Sequence, residues 1–375
     1  MLRYNICVPK IDPVYEQRYE QYADDDTQQQ SDKRDITSVR VRELYNEINS
    51  IWNSTPELVK YNKQIVITIH EYENLYFKIK SKLINKPIKI TNAFMKMYTF
   101  MLYMRKYLNG KRKISHYDIA SAPGMFLIAA ERFCHKRGIR YAFHASSWDE
   151  GDLDDEYGIF MNNARKYDNV NVCNADDIRR TIDKHDCKYD LVTGDIGVMN
   201  DSNYTKLSEL ILLNEQYGQA RLAVDLCKQG GICYLKMFTY NYIETQWLTD
   251  MLTLYFDNVM ITKPYTSRFM NDESYLICIG RNDVNVGLPF TRPNIGSSYT
   301  SPNRDLYESF EVQRLTEKLE VLRVIVEHLS EHGFDRDKFV KSETFHKYFD
   351  KVRLLYDVFT LKVDEKELQE DGVDV

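Results

Sequence analysis

Several charged side chains stand where the sequence has little ordinary use for them. Lys236 interrupts "GGICYLKMF" (230–238), an otherwise apolar, strand-like run. A lysine rarely occupies such a strand unless it is paired or working. Asp176 follows "NVNVCNA", Asp195 follows "YDLVTG", and Glu273 stands just before "SYLICIG". Lysines and carboxylates gathered round one cleft can position and deprotonate a hydroxyl group. A carboxylate at a strand end can equally be a helix cap or a solvated loop residue, which is the competing reading of Asp176. The stretch "YDIASAPGMFLIAAERF" (117–133) adds a turn: it starts like a buried strand, breaks at Ser121-Ala122-Pro123-Gly124 and resumes with helical spacing. In a doubly wound sheet such a turn sets main-chain N–H groups and a helix N-terminus beside a ligand, and small residues permit close approach. Ala-Pro-Gly on its own is also an ordinary turn.

These residues need a scaffold, and the pattern of the chain supplies one. From 116 to 280 strand-like runs alternate with helical ones: "HYDIAS", a helix over 125–137, "RYAFHASS", "NVNVCNA", "YDLVTGD", a long helix from about 205 to 229, "GGICYLKMF", a helix near 243–256, "NVMITKP" and "SYLICIG". Such alternation predicts an α/β fold, a parallel sheet wound with crossover helices. Upstream, apolar positions spaced by three and four predict helices over 36–52 and 92–108, with strand-like alternation in "KQIVITIHEYENLYFKIK". The polar run 23–35 reads as a linker or exposed loop, and the segment before it as an arm. After 280 a Pro/Gly/Ser/Asn-rich connector leads to helices striped by Leu315, Leu319, Leu322, Val326 and Leu329, and by Phe345, Tyr348, Phe349, Val352 and Leu355. Ordinary helix packing is the simplest use for both stripes. The expected division is 1–85 as an N-terminal extension, 86–283 as the catalytic domain, and 284–375 as connector and helical C-terminal region.

Composition excludes other classes. A chain of 375 residues at 43% hydrophobic content buries a sizeable core, and no run approaches the apolar length of a membrane span. With no apolar signal region at the N-terminus, the chain reads as cytosolic. Seven cysteines without a CxxC pair indicate neither a disulfide framework nor a zinc site, and no metal is expected. A net charge of −6 leaves room for a local basic groove while arguing against wholesale coating of nucleic acid.

The motifs in order, over about 90–282, resemble the FtsJ-like (RrmJ-type) ribose 2′-O-methyltransferases, which use S-adenosylmethionine on a Rossmann-like doubly wound sheet. "DIASAPGMF" resembles the first motif, "TGDIG" the motif of the fourth strand, "YLKMF" the lysine strand, and "KPYTSRFMNDESY" the Lys-Pro-x-x-Ser-Arg…Glu-x-Tyr segment; "NAFMKMY" offers the family's first lysine. The resemblance implies Lys96, Asp195, Lys236 and Glu273 as catalytic residues. It implies a cofactor site of Ala120, Ser121, Ala122, Pro123, Gly124, Met125, Phe126, Ser146, Asp176, Asp177 and Asp195, with Asp176 on the adenine amine and Asp177 as its neighbour. It further implies RNA phosphates on Lys263, Ser267 and Arg268, and a base stacked on N-terminal aromatic residues. Met125 replaces a usual second glycine. The second strand ends "HASSWDEG", where Ser146 or Ser147, with Asp149 and Glu150, stand in for a ribose-binding carboxylate. The flanking regions, 1 to about 85 and 285 to 375, find no match in the compact ribosomal-RNA members of the family; decorated versions of this fold resemble messenger-RNA cap methyltransferases, including those of large DNA viruses, so capped mRNA in a host cytoplasm or virion is the expected setting.

Lys236 is expected to accept the ribose proton, with burial and Lys96 lowering its pKa and Asp195 partly offsetting them. The alternative is a catalytically inactive methyltransferase fold that binds RNA or docks a protein partner through the C-terminal helices. A nicotinamide-dependent oxidoreductase is disfavoured because the first turn lacks Gly-x-Gly-x-x-Gly.

Overall fold

The computed structural model describes residues 2–10, 37–58, 60–61, 64, 91–108, 110–149, 154–185, 188–197, 209, 212–264, 267, 271–283, 288–295, 299–333 and 335–343. Its centre is an eight-stranded sheet of β1 (Leu2–Val8), β2 (Lys113–Ile119), β3 (Arg140–Ser147), β4 (Tyr167–Asn169), β5 (Tyr189–Gly194), β6 (Cys227–Met237), β7 (Phe256–Pro264) and β8 (Ser274–Arg281), in the order β1-β7-β8-β6-β5-β2-β3-β4. The helices are α1 (Val39–Ser54), α2 (Asn92–Tyr103), α3 (Met125–Lys136), α4 (Ala175–Lys184), α5 (Leu213–Leu226), α6 (Ile243–Tyr255) and α7 (Arg304–His332), with short helical segments at Arg105–Leu108, Met161–Lys166 and Arg336–Lys341. The α/β class holds.

Three elements differ from the sequence expectation. The sheet is mixed: β2 to β6 run parallel, while β8 lies antiparallel between β6 and β7. Nine residues join β7 to β8, too few for a crossover, so the chain returns antiparallel. The apolar run 169–175 is not a strand. β4 ends at Asn169, and the Asn171 side chain accepts from Cys173 N while Asn174 caps α4. Asparagines bonding their own main chain turn the segment here. The helix expected from about 205 to 229 ends at Leu226 as α5, its described part beginning at Leu213, and residues 227–229 open β6 instead. The strand-like stretch 63–80, apart from residue 64, and the second C-terminal stripe, 345–355, lie outside the described residues.

The extensions join this body. β1 pairs antiparallel with β7 and closes that edge of the sheet. The stripe Leu315, Leu319, Leu322 and Leu329 of α7 is buried against Val41, Leu44, Tyr45 and Ile48 of α1. That face is therefore covered from within the chain.

Helix α5 approaches the loop after β4 through Gly218, where a Cβ would fall 1.8 Å from the carbonyl oxygen of Val172. Helix propensity alone favours alanine over glycine by about 1 kcal/mol. Overlap with main chain outweighs it, because relieving it moves a helix or a loop. Gly218→Ala should therefore destabilise the protein by about 2 kcal/mol in denaturant unfolding. An unchanged or stabilised variant would show that α5 does not hold this loop.

Candidate active site

The parallel register brings the functional strand ends level. Ile119 of β2 pairs with Ser146 of β3 and Gly194 of β5, and Gly194 pairs with Leu235 of β6. Asp195 and Lys236 are each the next residue. β8 runs the other way, so its first residues lie at the same end, with Tyr275 directly opposite Lys236. Lys96 arrives from α2, a helix apolar enough that Phe94, Met97, Phe100 and Met101 are buried around it and whose N-terminus is capped by Thr91.

Four charged groups meet there. Lys96 Nζ lies 3.0 Å from Glu273 Oε1 and 3.8 Å from Asp195 Oδ2. Lys236 Nζ lies 3.3 Å from Asp195 Oδ1 and 3.5 Å from Glu273 Oε2. Each ammonium thus touches both carboxylates. Tyr275 ties the set together: Lys96 donates to its hydroxyl at 2.9 Å, and the hydroxyl donates to Asp195 Oδ1 at 2.5 Å. Gly197 leaves space beside Lys236, since a Cβ there would lie 3.1 Å from Nζ.

The electrostatics correct one expectation. Burial pulls the Lys236 pKa down, but Asp195 and Glu273 raise it by more, so the net shift is upward and the resting group is an ammonium. The sequence had shown the desolvation and not the geometry of two carboxylates on one lysine. Burial pushes the Glu273 carboxyl up, whereas Lys96, Lys236, Lys263 and the Ser267 hydroxyl hold it well below the usual carboxylate range.

Lys263 and Ser267 do not reach outward to RNA. Lys263 is 2% exposed, and its ammonium donates to Asn271 O and Oδ1, both at 2.9 Å, and to Glu273 O at 2.8 Å. Ser267 is equally buried and donates to Glu273 Oε1 and, at 3.1 Å, to Asn271 Oδ1. Both support the loop that aims Glu273, because a buried carbonyl and carboxylate need donors. Arg268 and Glu150 lie outside the described residues. On the other side of Glu273, buried Asp272 is held by Arg314, and by Lys318 at 3.3 Å, both from α7. Arg314 also pairs with Glu311 at 2.5 Å and donates to Tyr45 of α1 at 3.0 Å. No local signal marks this link, since 42 residues separate Asp272 from Arg314.

The turn after β2 is held from beneath. Buried Asp118 accepts from Ser121 and Thr193, each at 2.5 Å, and Thr193 meets His116 Nε2 at 2.6 Å. Burial raises Asp118 to about 7 and lowers His116 to about 3. Ser121 N donates to Ser146 O at 2.9 Å. The Ser121 side chain is thus committed to the fold, whereas Ser146 is 1% exposed and its buried hydroxyl has no hydrogen-bond partner among the described residues. Met125 and Phe126 likewise send their side chains into the core. Gly124 adopts φ +94°, and a Cβ would lie 2.5 Å from Ile159 Cδ1, so backbone and packing already require glycine there. Ala120, Ala122 and Pro123 remain partly exposed, and α3 begins without a side-chain cap. Its first N–H groups thus lack both intrahelical and side-chain acceptors and suit the carboxylate of an amino-acid ligand.

Asp176 is exposed and pairs with Arg179 at 2.9 Å. The cap of α4 belongs to Asn174, which accepts from Asp176 N and Asp177 N, leaving the Asp176 carboxylate out of that role. Asp177 pairs with Arg180 and accepts from Asn171 N at 3.0 Å. The sequence reading gave Tyr275, Asp118 and Arg314 no function. For Tyr275 the signal was available, because residues 273 and 275 share one face of a strand.

Among known proteins, the profile of the FtsJ-like methyltransferases matches residues 90–281. The protein described as "Probable methyltransferase EP424R" of African swine fever virus is 27% identical over 272 residues, covering 66% of this chain and 62% of that protein. "Cap-specific mRNA (nucleoside-2′-O-)-methyltransferase 1" of Trypanosoma brucei brucei is 34% identical over 90 residues, 24% of each chain. "Cap-specific mRNA (nucleoside-2′-O-)-methyltransferase 2" of Drosophila melanogaster is 25% identical over 216 residues, 52% of this chain and 31% of that one. The chain thus spans less than two thirds of the length of the curated relatives it matches. No helix among the described residues is long and apolar enough to cross a membrane.

The depressed Glu273 value means that the folded state favours the carboxylate, so its stabilisation is present above the ordinary glutamate pKa of about 4.3 and fades as pH falls below it. Glu273→Gln removes the charge that both lysines face. It should destabilise the fold by about 3 kcal/mol at neutral pH, and the difference from wild type should shrink below about pH 4. Denaturant unfolding across a pH series tests this; a pH-independent deficit would remove the ion pairs as its cause.

Proposed function

The chain belongs to the FtsJ-like methyltransferase family, and from that premise we propose that it is an S-adenosylmethionine-dependent RNA ribose 2′-O-methyltransferase acting on cap-proximal nucleotides of messenger RNA. The observation that carries the reading is the contact set of Lys96, Asp195, Lys236 and Glu273 at the carboxyl ends of the parallel strands. Relatives named as cap-specific mRNA methyltransferases support the choice of RNA.

S-adenosylmethionine, when bound, supplies a methyl group on a positively charged sulfur. The main chain of Ala120–Gly124 and the start of α3 would hold its amino-acid end, and Asp176 with Asp177 would take the adenine end. The ribose hydroxyl must then be aligned with the methyl group, a task of positioning. In our assignment Lys236 faces that hydroxyl and accepts its proton, Asp195 and Glu273 orient the two lysines, and Lys96 and Tyr275 fix Asp195. Because both carboxylates favour the charged lysine, only a small neutral fraction exists near pH 7, and that fraction grows with pH. We keep 86–283 as the catalytic unit, with the flanking segments as extensions that brace it.

Lys236→Met keeps the apolar stem and removes the amine. Methyl transfer should fall on the order of 10² to 10⁴, with cofactor affinity nearly intact. Lys236→Arg should be nearly as impaired, because a guanidinium stays protonated. The wild-type single-turnover rate on capped RNA should rise with pH up to the lysine range, and mapping of the product should place the methyl on a cap-proximal 2′-oxygen. Near-normal transfer by Lys236→Arg would sink the base assignment. Cofactor binding without transfer to any RNA would sink the enzyme reading of this chain.

A further inference from the structure

At the end of the sheet opposite these four residues, the turns that precede β2 and β3 enclose a groove of about 730 Å³, lined by Lys111, Arg112, Arg137 and Arg140 with Gly110 and Gly138 between them. None of its lining residues is acidic, in a protein whose net charge is −6. A Cβ at either glycine would meet nothing within 4 Å, so the floor is open. Lys111 is engaged by Asp190 at 2.7 Å, and that carboxylate is also paired with Lys228 at 2.5 Å. Arg112 and Arg140, with Lys113 beside them, are exposed and make no ion pair among the described residues.

Helix ends account for only part of this charge. His135 and Lys136 lie in the last turn of α3, where cations answer the carbonyl end of a helix, and Arg137 lies over the Phe133 ring at 4.0 Å. Arg112, Lys113 and Arg140 stand at strand starts, which carry no such field. The main chain already joins the two turns there, Arg140 N donating to Arg112 O at 3.1 Å. A second feature stands just upstream: Tyr107 is 41% exposed, with the Lys106 ammonium 4.9 Å from its ring centre. Uncompensated cations tracking a groove, with an exposed ring five residues before Arg112 in the chain, are what single-stranded nucleic acid binds without reading its sequence.

We propose that this groove is a second contact site for single-stranded RNA, taking phosphates at some distance from the ribose that reacts, with Tyr107 as a stacking face. It rests on the RNA substrate class proposed above. β2 spans seven residues between groove and cofactor turn, about 20 Å at the rise of a strand, so only an RNA of several nucleotides reaches both.

The test compares a single-stranded RNA of about 20 nucleotides with a capped one of about 4, the low end of the site sizes such grooves accommodate. The triple variant Arg112→Ala/Lys113→Ala/Arg140→Ala should bind the long RNA at least tenfold more weakly at low salt. The slope of log K against log salt should fall by about 2, at roughly 0.7 per lost phosphate contact. Arg112→Lys/Arg140→Lys should keep the slope, and Tyr107→Ala should weaken binding without changing it. Binding of the short RNA should match wild type in every variant. Unchanged affinity and slope on the long RNA would overturn the proposal and leave the groove to an acidic protein surface. If no RNA is methylated yet the length-dependent loss persists, the methyl-transfer reading fails while the groove stands.

Discussion

A buried ammonium needs anionic or carbonyl oxygens to accept from it, and in this chain two ammonium groups share the same two carboxylates. Much of the rest of the structure can be read as what that arrangement requires. Asp195 and Lys236 come from neighbouring parallel strands whose register sets them one residue beyond Gly194 and Leu235. Glu273 and Tyr275 reach the same level because β8 is inserted in the opposite direction. A wholly parallel sheet would place the start of β8 at the far end, and the cluster would not form.

The carboxylates in turn need fixed donors. Buried Lys263 and Ser267, with half-buried Asn271, bracket the main chain and side chain of Glu273. Next to it, Asp272 is gripped by Arg314 of α7, which also contacts α1 through Tyr45. Glu311, one turn earlier on α7, accepts from Tyr240 N in the loop after β6, the strand of Lys236. The helical extensions therefore hold the loops on both sides of the cluster. A charge-assisted network of this kind is rigid when every member is satisfied and costly when one is removed. Beneath the cofactor turn, Tyr141, His116, Thr193, Asp118 and Ser121 form a comparable chain across β3, β2 and β5. Its carboxyl and imidazole have little water to ionise into, which is why both are shifted towards neutrality.

The groove at the other end of the sheet follows a different logic. Arg112, Lys113 and Arg140 there are exposed and make no ion pair among the described residues. Charge in the cluster is tied down by the fold, and charge in the groove is left available to solvent.

Local pattern determined the alternation of strands and helices, the helices at 39–54 and 125–136, and the placing of Asp195, Lys236 and Glu273 at strand ends. Those signals depend on side chains within one element, where the periods of 2 and 3.6 are visible along the chain. The run 169–175 shows where this failed, because asparagine side chains competing for the main chain outweighed apolar alternation. Only the tertiary structure decided that Lys263 and Ser267 turn inward, that Arg314 reaches Asp272, and that the Lys236 pKa moves up. The Arg314–Asp272 pair and the Lys236 shift depend on groups far apart in sequence coming within about 4 Å, and at that range Coulomb energy rises steeply as water is excluded. Burial of a lysine can be read from its neighbours in the chain, but the sign of its shift depends on which charges the fold places beside it.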